Sequence, residues 1–498
     1  MKRIHRPAST LPVLGNTLDA MVYQRERFVD WMSEQSQITG GKTWLMTIAG
    51  QPPWYVISSP ESYEDLLKRQ VNIFERGPTM SYIFKDFLGE GIIAVDGHKW
   101  LVQRKTVAHL FSNRMMREVM DKAIIEKAIK FRDVLEFCRQ RGTPVSLKSL
   151  ISRFTSDVFT KIGFGVELNG LDSTNVDVET EHPFIEAIAA MCRLLQARAQ
   201  SPMTWWRLKR WLNIGDEREA KVHMKVVHDL VHEIMLKSFA MKHESLENLA
   251  QSKPSEELHA PTAKTGDIIS FYIESGLTDP QQLQDMAVNL FFAGKDTTSF
   301  SLSWLFVMMN RHPHVLRKIR EEIHAKLPEL ATGEIDAPTM EQLGELTYLE
   351  AAVRENLRLN TSMTTRTPNQ DTTLSDGTFV PKGSVVYVCH YASARLKSTW
   401  GEDAAEYKPE RWIDPATGKL IHFSPFKFVT FIAGPRQCPG MRFAILELMT
   451  VAAVLLARFD IKTVEDPFDL TYELSVVFPV KGRLMVTVDK AAPLSPAA

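Results

Sequence analysis

Cys438 sits in the run Phe431-Ile432-Ala433-Gly434-Pro435-Arg436-Gln437-Cys438-Pro439-Gly440, behind the aromatic stretch Phe423 to Phe431 and just ahead of an apolar helix beginning near Met441. A cysteine alone is ordinarily a small buried hydrophobe. Its neighbours here argue for chemistry. Gly434 and Gly440 let the backbone turn tightly and pass close to a flat ligand, where a Cβ would clash. The free N–H groups and positive end of the coming helix favour a thiolate. Arg436, two residues away, supplies a fixed cation for an acid group on that ligand. A thiolate on a close-approach loop, beside a cation for carboxylates, describes the axial ligand of a haem.

Further groups suit the same centre. Asn289-Leu290-Phe291-Phe292-Ala293-Gly294-Lys295-Asp296-Thr297-Thr298 interrupts an otherwise apolar helix with a glycine and two threonines. These are poor helix formers, so something other than propensity selects them. Gly294 would let the helix graze the haem. Thr297 can donate to the carbonyl of Ala293, four residues back, bending the helix and making room for water. Asp296 beside it can relay protons from solvent. Trp100 and Arg104 stand one turn apart on a helix from His98, and an indole N–H with a guanidinium suits a buried carboxylate. Glu355 and Arg358, in Arg354-Glu355-Asn356-Leu357-Arg358, are an i,i+3 pair. Each has a plainer reading: a polar slip in a core helix, an ordinary amphipathic helix, and a surface ion pair of little weight.

Together these segments resemble the cytochrome P-450 superfamily, in family order and at family-like spacing over nearly the whole chain. Phe431 to Gly440 resembles the haem-binding loop, Ala293 to Thr298 the AGxDTT motif, Glu355 to Arg358 the ExxR pair, and Pro409-Glu410-Arg411-Trp412 the segment whose arginine joins that pair. The resemblance implies a mainly α fold with a small β region and one haem b, ligated by the Cys438 thiolate. It implies haem contacts from Trp100, Arg104, Gly294, Phe431, Arg436 and Gly440, proton handling by Asp296 and Thr297, and a buried structural clamp of Glu355, Arg358 and Arg411. Arg366 is a further expected propionate donor, in a stretch, Asn360 to Thr365, that lacks the proline-rich apolar turn of many relatives. Ala293 stands where animal ω-hydroxylases often carry a Glu esterified to haem, so the haem is expected to be non-covalent.

Within the superfamily, Gly91 to Gly97, Ala293 to Thr298 and Asp376 to Gly383 look most like the fatty-acid ω-hydroxylase clan of plants, fungi and related eukaryotes. That resemblance implies a monooxygenase inserting one oxygen atom of O2 into an apolar substrate, with ω-hydroxylation of a medium- or long-chain fatty acid expected. Ile83, Phe84, Phe291, Phe292, Val477 and Phe478 are the expected pocket residues. Sterol or xenobiotic oxidation, a haem-thiolate isomerase or dehydratase of fatty-acid hydroperoxides, and a non-catalytic haem sensor are the rivals. The intact Asp296-Thr297 pair argues against the isomerase. No flavin or nicotinamide fingerprint and no iron–sulfur cysteine set is present, so electrons are expected from NADPH-cytochrome P-450 reductase or another donor. Lys427, Arg436 and Arg442 are candidates for its docking face.

These groups need a scaffold. Thr43 to Ile48 and Trp54 to Ser58 read as strands about Gly50-Gln51-Pro52-Pro53, and Ser59-Pro60 opens a helix. Residues 77–91 read as a loop over a pocket. Helices are expected at 115–141, 149–164, 183–200 and 216–242, a polar surface loop at 243–266, and a helix capped by Asp279 and Pro280. Thr204-Trp205-Trp206-Arg207-Leu208-Lys209-Arg210-Trp211 suits a bilayer interface, or equally tryptophans packed on the core.

All motifs must converge on one haem, so 498 residues are expected to form one domain, with a proline-containing segment at 1–42 and the ligand loop at 431–440. With 44% hydrophobic residues the chain can bury a large core, and a net charge of -1 gives no field for nucleic acid. Four well-separated cysteines (138, 192, 389 and 438) suggest a reducing compartment. No apolar run reaches the ~18 residues of a membrane span, and no signal peptide is visible. By resemblance the expected location is the cytosolic face of the endoplasmic reticulum membrane; with no anchor in this sequence, the alternatives are a truncated chain, attachment to the membrane by another surface, or a cytosolic location.

Overall fold

The small β region comes first in the chain. Trp44–Met46 (β1) and Trp54–Ile57 (β2) pair antiparallel across the expected turn, with Met46 opposite Trp54. Phe74–Glu75 (β3), Thr364–Pro368 (β4) and Val385–Val388 (β5) complete a five-stranded sheet in the order β1-β2-β5-β4-β3. Every residue of β2, β4 and β5 is buried, as expected for strands covered on both faces. Glu75 lies opposite Thr367, a register that carries Arg76 alongside Arg366. Ser59 caps the following helix by accepting from the Ser62 N–H.

Helices make up most of the rest of the structure, a computed structural model that describes residues 4–173, 183–251, 268–274, 276–277 and 279–492. Those that build the site are α1 (Pro78–Leu88), α2 (Gly97–Leu110), α3 (Leu147–Phe164), α4 (Pro183–Gln200), α5 (Met203–Leu212), α6 (Asp216–Gln251), α7 (Pro280–Arg311), α8 (Thr347–Leu359) and α9 (Met441–Leu456).

The axis of the fold is α7, with 32 residues spanning about 48 Å and most side chains buried from Leu283 to Met309. Asp279 caps it by accepting from the Gln281 N–H, and Pro280 holds the first position. Its polar side chains tie neighbours down. Asn289 donates to the Leu88 carbonyl at 2.6 Å and accepts from the Ile93 N–H at 3.1 Å, fixing the end of α1. The Asn356 amide of α8 donates to the Ser301 carbonyl at 2.9 Å, and Trp304 donates to the Phe478 carbonyl at 2.8 Å.

Two expectations are corrected. Residues 78–88 form a helix, because Pro78 sets its first turn and Met80, Ile83 and Phe87 bury one face at helical spacing; the density of aromatics concealed that period. The helix expected to end at 242 continues to Gln251, since no Gly or Pro interrupts 216–251. The remainder of the expected polar loop, 252–266, lies outside the described residues.

Candidate functional site

The Cys438 loop is folded by its own backbone. The Cys438 N–H donates to the Phe431 carbonyl at 2.8 Å, and the loop leads into α9 three residues later. Gly434 has φ +69°, and a Cβ there would lie 1.9 Å from the Leu67 carbonyl oxygen, so only glycine fits. Ile432 holds φ 58°, a strained conformation for a β-branched residue and of the kind that gathers at functional sites. Gly440 differs from expectation. Its φ is -85°, open to any residue, and an added Cβ would make ordinary contact with the Phe111 ring at 3.5 Å. Its contribution is instead an N–H toward the Cys438 sulfur. Burial pushes the Cys438 thiol up, against the Gly440 N–H and the Arg104 guanidinium, which both favour the thiolate.

Cys438 is partly exposed, and what it faces is a cavity of about 350 Å³. Phe431 and Ile432 of the ligand loop and Phe443 and Ala444 of α9 line it, with Phe84, Phe159, Leu290, Phe292, Val476 and Val477 as further apolar lining residues. Of the expected pocket pairs, Phe84, Phe292 and Val477 line the cavity, while Ile83, Phe291 and Phe478 are buried in the core. Successive residues on a helix point in different directions, so one member of each of the two helical pairs, Ile83/Phe84 and Phe291/Phe292, turns inward; Val477 and Phe478 lie on an irregular segment. Cys138, Cys192 and Cys389 are also buried in the core, and none of them lines the cavity.

Cations crowd one flank. Arg366 is buried on β4, and its side chain donates to Thr364 Oγ1 at 3.1 Å and the Thr365 carbonyl at 2.7 Å. Among the described residues no carboxylate pairs with it. Burial, reinforced by Arg76 and Arg436, holds its pKa well below the ordinary range. Arg76 lines the cavity, and burial with the nearby Arg436 lowers it to about 10 against the pull of Asp96. Arg436 ion-pairs with Asp96, donates to the Val95 carbonyl at 3.2 Å and lies 4.5 Å from the Trp100 ring. Three clustered guanidiniums set against so few carboxylates are a poor arrangement by themselves and a good one for a ligand bearing acid groups. A haem, with its two propionates, fits a cavity that joins this flank to a cysteine sulfur.

The structure divides the expected donors. Trp100 and Arg104 lie on α2, but Trp100 packs on Arg436 and Arg104 acts on the Cys438 sulfur; the cavity-lining cation is Arg76. Sequence reasoning missed Arg76, because its placement comes from the β3–β4 register and not from a local motif.

On α7, Thr297 Oγ1 donates to the Ala293 carbonyl at 2.7 Å and Thr298 Oγ1 to the Gly294 carbonyl at 3.0 Å. Thr297 lines the cavity. Gly294 lines the cavity as well, and an added Cβ would lie 2.1 Å from the Phe159 ring, so this glycine also seats α3 against α7. Asp296 is not among the cavity-lining residues. Its Oδ1 accepts from Lys295 at 2.6 Å, and its buried Oδ2 has no partner among the described residues. Behind Thr298 lies Glu447 of α9, which burial raises to about 8 against the Thr298 hydroxyl. A charged residue inside so apolar a helix was the signal that could have found it.

The clamp lies behind α8. Arg358 donates to both Glu355 oxygens, at 2.7 and 2.8 Å, and Arg411 donates to Glu355 Oε1 at 3.3 Å. Trp412 and the Lys408 N–H add bonds of 2.9 and 3.1 Å, and Arg358 also donates to the carbonyls of Ala394, Ala404 and Glu406. A buried carboxylate so fully satisfied is expensive to disturb, at about 3–5 kcal/mol when one partner is removed.

The cytochrome P450 family model matches residues 6–486. Among curated proteins, the chain is similar to cytochrome P450 CYP94D108 of Paris polyphylla, 29% identical over 481 residues that cover 95% of this chain and 91% of the relative. Cytochrome P450 94B3 of Arabidopsis thaliana is 31% identical over 461 residues, 90% of this chain and 85% of the relative. Alkane hydroxylase MAH1 of the same plant is 28% identical over 511 residues, 96% and 94%. The mainly helical fold with its small sheets agrees with these matches. The chain therefore belongs to the cytochrome P450 family: it binds haem b through a cysteine thiolate, and it is a monooxygenase that uses O2, a redox partner and a hydrophobic substrate.

Proposed function

We propose that this enzyme hydroxylates a medium- or long-chain fatty acid at or near its methyl end, with Cys438 as the haem ligand. The observation that carries the reading is a single cavity that joins Cys438 and Thr297 to walls of Phe84, Leu290, Phe292, Val476 and Val477. Haem, when bound, supplies reductive activation of O2 and oxygen insertion at a C–H bond. The chain's own residues do the rest. Arg76, Arg366 and Arg436 would hold the propionates, and the apolar walls exclude water and orient the substrate. Thr297 would hold a proton near the reacting centre, and Asp296, at the adjacent position, would pass protons inward from solvent. Terminal selectivity cannot come from affinity alone, because one methylene changes binding by only ~1–3 kcal/mol. A channel that presents only the chain end to the reacting centre meets that requirement. Kinship to an alkane hydroxylase supports an aliphatic chain as substrate.

The electron donor is proposed to be an NADPH-dependent P450 reductase docking on the cysteine side. Contact with a membrane surface, at the endoplasmic reticulum, is proposed through α5. There Trp205 is 49% and Trp211 80% exposed, with Leu208 and Leu212 beside them, while Trp206 is buried. Among the described residues no helix is long and apolar enough to cross a membrane. Incubating the haem-loaded enzyme with reductase, NADPH and a chain-length series of fatty acids, then identifying products by mass spectrometry, tests the reading. Terminal or near-terminal alcohols are expected. Exclusive mid-chain oxidation, sterol turnover without fatty-acid turnover, or reductase-independent conversion of hydroperoxides would contradict it.

A further inference from the structure

One polar side chain in the cavity has no job in the scheme above. Gln196 lies on α4 between Leu195 and Ala199 among the cavity-lining residues, 3% exposed, and its Oε1 has no hydrogen-bond partner among the described residues. A leucine or methionine at this position would bury without loss, whereas an unmatched amide oxygen is costly. The helix that carries this amide is held in place. Gln51 Nε2 donates to the Ala199 carbonyl at 2.9 Å, and Trp54, itself on the cavity wall, donates to Gln51 Oε1 at 3.2 Å, so the end of α4 is pinned to the β1–β2 hairpin. A buried amide with an unmatched oxygen, on an anchored helix and in a mostly apolar wall, is the form a specificity-determining polar group takes.

We propose that Gln196 reads a neutral hydroxyl on the bound chain, so that the preferred substrate is an aliphatic chain already carrying one oxygen function. The proposal rests on the reading of the substrate as an aliphatic chain. A hydroxyl both donates and accepts, and it therefore complements the amide whichever way its oxygen and nitrogen are assigned. A carboxylate is a poorer match. Arg76 is the one charged side chain among the described cavity-lining residues, and it lies in the propionate flank, so an acid group at Gln196 would be buried against a neutral amide. Thr361, 2% exposed and also on the cavity wall with an unmatched Oγ1, adds a second neutral polar group. The product of such a substrate would carry two hydroxyl groups.

The test is ligand binding to the full, haem-loaded chain, followed by the Soret band. The probes are a saturated fatty acid, its isomers bearing one hydroxyl at successive carbons, and an alkane with its matching primary alcohol. At least one hydroxylated probe is expected to bind about tenfold tighter than its parent. Gln196→Leu should reduce that advantage to within about twofold and tighten binding of the unsubstituted parent. Gln196→Met serves where Gln196→Leu does not retain haem. The proposal is overturned if no hydroxylated probe outbinds its parent, the result expected if water alone satisfies Gln196, or if the advantage survives in the variants. Loss of the alcohol-over-alkane advantage in Gln196→Leu, in an enzyme that neither binds nor oxidises fatty acids, would uphold the proposal and sink the fatty-acid reading.

Discussion

Lys295 donates to the carboxylate of its chain neighbour Asp296 at 2.6 Å, with the two side chains only 2% and 14% exposed. The acid proposed to pass protons is therefore held by a buried cation on the same helix. Removing one partner leaves the other as an uncompensated buried charge. Lys295→Met is expected to lower stability by about 3 kcal/mol, and Lys295→Met with Asp296→Asn by distinctly less. Thermal unfolding of the three proteins measures this. A double variant at least as damaged as the single one would show that the pair carries no coupling.

Thr297 donates to the Ala293 carbonyl and lines the cavity, the position from which it is proposed to hold a proton. Thr297→Ala should keep the thiolate-haem spectrum while product formed per NADPH falls on the order of tenfold or more, the electrons appearing as hydrogen peroxide. Thr297→Ser should retain most of the coupling. Unchanged coupling in Thr297→Ala would remove this residue from the mechanism.

Glu447 gives a pH signature. Burial raises its carboxyl from the ordinary 4.5 to about 8, so between those values the folded protein keeps a proton that the unfolded chain has lost. Stability should then fall as pH rises through that window, by about 1.4 kcal/mol per unit, and level off on either side. Glu447→Gln should remove this contribution and raise the thermal midpoint most at and above about pH 8, where the cost is complete. A variant with the same slope as the parent enzyme would assign the effect to other groups.

The three tryptophans of α5 separate into two kinds. Trp206 is buried, with the Arg198 guanidinium 4.9 Å from its ring, whereas Trp205 and Trp211 are exposed. Trp205→Ser with Trp211→Ser should weaken binding to anionic liposomes at unchanged thermal stability, and Trp206→Ser should instead lower stability by about 3 kcal/mol. Equal liposome binding by the surface variant would exclude α5 as the contact.

What was legible in the sequence was what a short segment carries by itself. The Cys438 loop and the Ala293 to Thr298 stretch announce themselves because each combines residue types that helix propensity or core packing alone would not select, whereas the Glu355–Arg358 pair, an ordinary i,i+3 pair by itself, stood out only through its resemblance to the ExxR pair. The caps at Ser59 and Asp279 were legible for the same reason, since a cap is a local hydrogen bond. Arg76 was not, because it meets Arg366 only through pairing across nearly 300 residues of chain. Asp96 was missed likewise: it pairs with Arg436 and accepts from the Arg76 N–H, contacts that depend on tertiary placement. Residues 78–88 were misread because aromatic residues obscured a sound helical period.

The proposed assignment of the haem thiolate to Cys438 can be read from the reduced, carbon monoxide-bound absorption spectrum. The band of a thiolate-ligated haem is expected in the parent enzyme and is expected to vanish in Cys438→Ser. Persistence of that band in Cys438→Ser would exclude Cys438 as the ligand and turn the search to Cys138, Cys192 and Cys389, all of them buried away from the cavity.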